Sequence, residues 1–102
     1  MNAELYITKA SLQISKGEIE KAVDSMIKAI EIGDDLISIT QAHCFWGEYY
    51  FINQDYILSK EHLEWISERQ EELEIKYDDL LNDEIDKVNA LLNIMEIFSL
   101  IE

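Results

Sequence analysis

Proline is absent from the chain, glycine occurs only at Gly17, Gly33 and Gly47, and cysteine only at Cys44. The tight turns of β-proteins therefore lack their usual residues, while apolar residues recur at helical spacing, so the sequence predicts an all-α fold. One cysteine excludes an internal disulfide. Lying in an apolar stretch, Cys44 reads as a small buried side chain of a reducing, cytoplasmic compartment. Basic residues are scarce as well: eight Lys and Arg stand against 22 Asp and Glu, a formal net charge of -14. Such a charge repels nucleic-acid phosphates and anionic membrane surfaces, which argues against direct binding to either and favours a basic or amphipathic protein partner. No basic segment followed by an apolar one opens the chain. The longest uncharged stretch, Leu36 to Gly47, is too short and too polar to cross a bilayer.

What the chain does have is apolar content, 48% of its 102 residues, with ten aromatics among them. That composition suits a folded domain and not an acidic disordered tail, and the length suits one domain over residues 1–102. Five helices are expected. The first runs from Ala3 to Ser15 and ends at Lys16-Gly17, where a residue without Cβ can close a helix. The second, Glu18 to Ile32, opens with Glu18 and Glu20 at the positive end of its dipole, carries Ala22, Met26, Ala29 and Ile30 on one stripe, and stops at Gly33. Asp34 or Asp35 caps a third that reaches Ile52 and is apolar around most of its circumference. Asn53-Gln54-Asp55 turns the chain into a long fourth helix, whose core stripe runs from Tyr56 through Ser59, Leu63, Ile66, Gln70 and Leu73 to Tyr77. Glu61, Glu64, Glu68, Glu71 and Glu72 fall on its other side, as a solvated face or an acidic docking surface. After the acid-rich break Asp78 to Glu84, a fifth helix at 83–101 carries Ile85, Val88, Leu91, Leu92, Met95, Phe98 and Ile101, with Ile94, Ile97 and Leu100 off that stripe. A helix apolar on two faces either inserts between its neighbours or offers a patch, with homodimerisation one use for it.

The two predicted pairs, 3–32 and 35–77, align at an offset of 37 residues. Ala10 meets Gly47, Gly17 and Glu18 meet Gln54 and Asp55, and Ala22, Met26 and Ala29 meet Ser59, Leu63 and Ile66. This resembles the tetratricopeptide-repeat family, which places a small residue midway along the first helix, glycine and an acid at the turn, and a small, large, small series along the second. Small residues let helix axes approach while a bulky one fills the groove between them. Lys9 and Gln13 depart from the pattern, standing where the family has apolar residues, and no proline closes the unit.

The resemblance implies a concave surface built from the first helix of each pair. Ile7, Ser11, Ile14, Cys44, Glu48, Phe51 and Ile52 would line it, Tyr49 would add apolar contact, and a peptide or helix of a partner would occupy it. The fifth helix then acts as a cap. The basic and asparagine residues with which some members clamp a terminal carboxylate are missing at the matching places, which are Ile7, Ser11, Cys44 and Glu48. Trp65, on the glutamate face of the fourth helix, is either an interface anchor or packed against the last helix.

No metal, cofactor or catalytic constellation emerges. His43 and Cys44 are adjacent on a helix and point about 100° apart, ill placed to chelate one ion. Neither nucleophile triads nor phosphate loops occur, and the carboxylates lie in polar contexts that do not raise a pKa for acid catalysis. The expectation is a non-enzymatic adaptor for a protein or peptide. The rival is an acidic inhibitor: residues 34–102 hold 17 acids and four bases, enough to imitate a nucleic-acid backbone and block the protein that binds it.

Overall fold

A computed structural model describes residues 2–100 and, among them, shows six helices and no strand: α1 (Ala3–Ser15), α2 (Ile19–Ile32), α3 (Leu36–Ile52), α4 (Tyr56–Ser67), α5 (Gln70–Tyr77) and α6 (Asn82–Ile97). The all-α expectation holds, with six helices in place of five. By its contacts the chain divides into two compact units, Met1–Ala42 and His43–Glu102, and α3 runs from one into the other. Among the described residues no helix is long and apolar enough to cross a membrane.

In the first unit α1 and α2 pack as a hairpin. The Asn2 side chain caps α1 by accepting from the Leu5 amide at 2.9 Å, and Asp34 reaches back to accept from the Ala3 amide at 3.1 Å. Gly17 closes α1 at φ 76°; the Gly17 and Glu18 amides donate to the Ile14 and Gln13 carbonyls, the paired bonds of a Schellman motif. Ala3, Ala10, Ala22 and Ala29 are fully buried around Met26, so methyl groups let the helices approach and one flexible chain fills the space between them. Asp35, not Asp34, caps α3: its Oδ1 accepts from the Ile37 amide and its Oδ2 from the Ser38 hydroxyl.

In the second unit α3 comes close to α4 at Gly47. A Cβ placed on Gly47 would run into the Leu63 side chain, with Cγ at 2.7 Å. The buried Ser59 hydroxyl donates to the Gly47 carbonyl at 2.6 Å. The turn between these helices repeats the hydrogen bonds of the first unit at the same offset: the Gln54 and Asp55 amides donate to the Phe51 and Tyr50 carbonyls, and Gln54 takes φ 64°. Leu63 and Ile66 of α4, Leu73 of α5, Leu81, and Ile85, Val88 and Met95 of α6 complete this unit's core, with α4 and α6 side by side.

The expected long fourth helix is broken at Glu68–Arg69. No glycine or proline marks the place. The Arg69 side chain makes the break: its Nη1 donates to the Trp65 carbonyl at 2.8 Å while its own amide turns to Ile66. A side chain has thus taken the carbonyl that the next helical amide would have used. Asp78 to Glu84 resolves into a turn at 78–81, with Asp78 at φ 56° and buried Leu81 leading into α6. The last helix ends at Ile97, short of 101, because Ser99 adopts φ 51° and the Ser99 and Leu100 amides return to Glu96 and Met95. Ile101 lies outside the described residues.

Candidate functional site

The chemistry-bearing side chains of the second unit converge along the α3–α4 seam. Residues 43, 46 and 50 follow one face of α3, and residues 62 and 65 occupy the facing side of α4, three and four residues apart in the manner of helix neighbours. His43 and His62 meet there, Nδ1 to Nδ1 at 2.9 Å. One ring must donate an N–H and the other accept with a lone pair, so the bond needs both rings neutral or a single shared proton. The centroids lie 5.1 Å apart, about the separation of two rings meeting nitrogen to nitrogen in line, which suits a proton between them. His43 also stacks on Trp65 at 4.3 Å, and the Arg69 guanidinium lies over that indole at the same distance. Trp46 and Tyr50 stack on the His62 ring at 6.0 and 5.7 Å.

This packing sets the protonation. Burial pulls His43 down to about 4, and the proximity of His62 and of the Arg69 cation acts in the same direction. Burial also lowers His62, while Glu61 pulls the other way. Both rings are therefore neutral at pH 7, and the pair is a structural tie within an aromatic stack. Burial likewise pushes the Cys44 thiol up to about 11, so it is no nucleophile at neutral pH. Among the described residues, no three His, Cys, Asp or Glu side chains are placed to hold one metal ion.

The residues expected to bind a partner are spread over both units. In the first, Ile7 is half-buried and Ser11 and Ile14 are exposed on α1. In the second, Cys44 is only 6% exposed and faces the Glu84 carbonyl, so it offers no surface to a partner. Glu48 is paired with Lys87 of α6 at 3.0 Å. Tyr49 packs edge-on to Trp46. Phe51 is half-buried and meets the Tyr56 ring edge-on at 5.5 Å, and Ile52 is 72% exposed. Trp65 is half-buried, with the His43 ring stacked on it and the Arg69 guanidinium over it.

Two features were out of reach of sequence spacing. One is the contact between His43 and His62, nineteen positions apart, for which the 37-residue offset could have suggested two facing helices but not two facing rings. The other is a cleft of about 440 Å³ at the α3–α4 turn, lined by Asn53 to Ile57 and Leu100. Exposed Ile57 forms its apolar wall, and Ile97 and Phe98, 64% and 68% exposed, immediately precede this stretch of the C-terminal segment. No family model, curated protein or solved structure matches the chain.

Proposed function

We propose that the protein is a small non-enzymatic adaptor, akin to a tetratricopeptide-repeat unit pair, that holds a basic amphipathic segment of a protein partner. The cleft at the α3–α4 turn, where Tyr56, Ile57 and Leu100 stand beside Asn53, Gln54 and Asp55, carries the reading. Exposed Ile52 and Ile57, the Phe51–Tyr56 ring pair and Leu100 offer apolar contact at one place on a unit rich in carboxylates, and a helix or peptide with apolar and basic faces satisfies both. The offset of 37 between two turns with the same hydrogen bonds supports the family likeness. Half-buried Ile7 with exposed Ser11 and Ile14 is the matching stretch of α1. The C-terminal apolar residues Ile97 and Phe98 extend the binding surface, with homodimerisation as their alternative use.

The test is capture of partners from extract on the immobilised protein, followed by a salt gradient. The adaptor reading expects a partner that survives moderate salt and is lost with Ile57→Asp or Phe51→Ala; retention by both variants would sink it. A second reading draws on the exposed carboxylates of Glu61, Glu64, Glu68, Glu71 and Glu72, which suit an acidic inhibitor of a nucleic-acid-binding protein. Its signature is release by modest salt or by competing DNA, unaffected by the apolar substitutions.

A further inference from the structure

Lys9 and Gln13, the departures from the family pattern, lie on the α1 side of the α1–α2 seam. There they line an open cleft of about 210 Å³ with Lys21, Asp24, Ser25 and Lys28 of α2. Half of the chain's eight basic residues fall between positions 9 and 28, and three of those four meet in this cleft. The Nζ atoms of Lys9 and Lys28 sit 6.0 and 5.9 Å from the centroid of the Tyr6 ring, so both ammonium groups neighbour one aromatic ring as well as lining the cleft. Among the described residues neither forms an ion pair. Lys21 is engaged by Glu18 at 2.8 Å, and Asp24 is the carboxylate that lines the cleft itself.

At the floor, the buried Ser25 hydroxyl donates to the Gln13 Oε1 at 2.7 Å. With its oxygen engaged by Ser25, Gln13 keeps its two N–H donors to offer. A hydrogen-bonded polar pair in a helix–helix seam contributes little net stability compared with two apolar side chains of the same shape. The seam has therefore exchanged packing for two free cations and an amide donor around a space of small-molecule size.

We propose that this cleft is an anion site that takes a small dianionic oxyanion, a phosphate ion or the phosphoryl group of a small phosphate monoester. Lys9 and Lys28 supply charge-assisted hydrogen bonds, Gln13 supplies a neutral donor, and Lys21 adds field from its pair with Glu18. Asp24 opposes the anion and sets an upper bound on affinity. The site shares no residue with the cleft at the α3–α4 turn.

The experiment is a two-dimensional amide NMR titration of the full chain with inorganic phosphate, and separately with free phosphoserine, at constant ionic strength set by sodium chloride. Saturable shifts are expected in residues 6–13 and 21–28. Lys9→Gln and Lys28→Gln should each weaken binding about tenfold, the scale of one charge-assisted hydrogen bond, while Lys76→Gln, the same charge change elsewhere, should not. Asp24→Asn should tighten binding where Glu31→Gln does not. The double variant Gln13→Leu with Ser25→Ala should lose binding while keeping its helical circular dichroism. Tighter binding of phosphoserine assigns an ester and equal binding the free ion, and either supports the site. Equal shifts from chloride alone, or a Lys28→Gln variant that behaves like Lys76→Gln, overturn it.

Discussion

The two helix-pair seams can be compared position by position, 37 residues apart. Tyr6, Lys9, Gln13, Ser25 and Lys28 in the first unit stand where His43, Trp46, Tyr50, His62 and Trp65 stand in the second. The geometry corresponds as well. A hydroxyl-to-amide hydrogen bond joins residues 13 and 25, and a ring stack joins 50 and 62. Lys28 lies over the Tyr6 ring, and Trp65 stacks on His43. The same turn hydrogen bonds at an offset of 37 thus accompany a cationic, open cleft in one unit and an aromatic stack in the other. Backbone hydrogen bonds and small residues at the helix crossings position such a seam, and its occupants are then free to diverge because they touch mainly one another.

The sharpest way to break this comparison is truncation at matched positions. Trp46 is 5% exposed within the stack, so Trp46→Ala should cost about 3–5 kcal/mol in urea unfolding. Lys9→Ala, its exposed counterpart, should stay within about 0.5 kcal/mol. Equal losses would mean that the two seams contribute alike. A smaller effect is expected at the crossing residue. Gly47→Ala forces a methyl group into Leu63, for a loss of about 1–3 kcal/mol; the same change is silent at position 10, which is already alanine.

The two turns differ by about 1 kcal/mol in a predictable direction. Gly17 and Gln54 hold the same left-handed place, but only the glutamine bears a Cβ. Gln54→Gly should raise the unfolding midpoint and Gly17→Ala should lower it, each by about 1 kcal/mol in free energy. Opposite signs would mean that the Gln54 side chain makes compensating contacts.

Protonation provides the mildest test. Folded His43 titrates near 4 against an ordinary 6.5, so between those values the unfolded chain binds more protons. Stability from this ring is complete above about pH 6.5 and declines as pH falls towards 4. Urea unfolding at pH 7, 5.5 and 4.5 should show the decline, and His43→Leu should flatten it. An unchanged slope in that variant would place the titrating group elsewhere. The first seam holds no histidine to add to this decline.

Pattern within the chain was enough for the helical class, the positions of α1 to α3, the Gly17 and Gly33 stops and the small residues at positions 10 and 47. Each rests on chain-local physics: apolar periodicity, caps, and the conformational freedom of glycine. Its offset of 37 also anticipated that position 54 would turn the chain as Gly17 does, although glutamine carries no such signal. Apolar periodicity did not register where α4 stops, because the Arg69 guanidinium competes for the Trp65 carbonyl four residues back while lying over the Trp65 ring. Packing between segments set the rest: Cys44 is buried against the Glu84 carbonyl, Glu48 pairs with Lys87 of α6, and His43 meets His62. Composition showed the lysines of the first unit but could not show that three of them border one cleft. Such facts depend on which faces of two helices meet, and that is fixed by packing between segments and not by the pattern within either one.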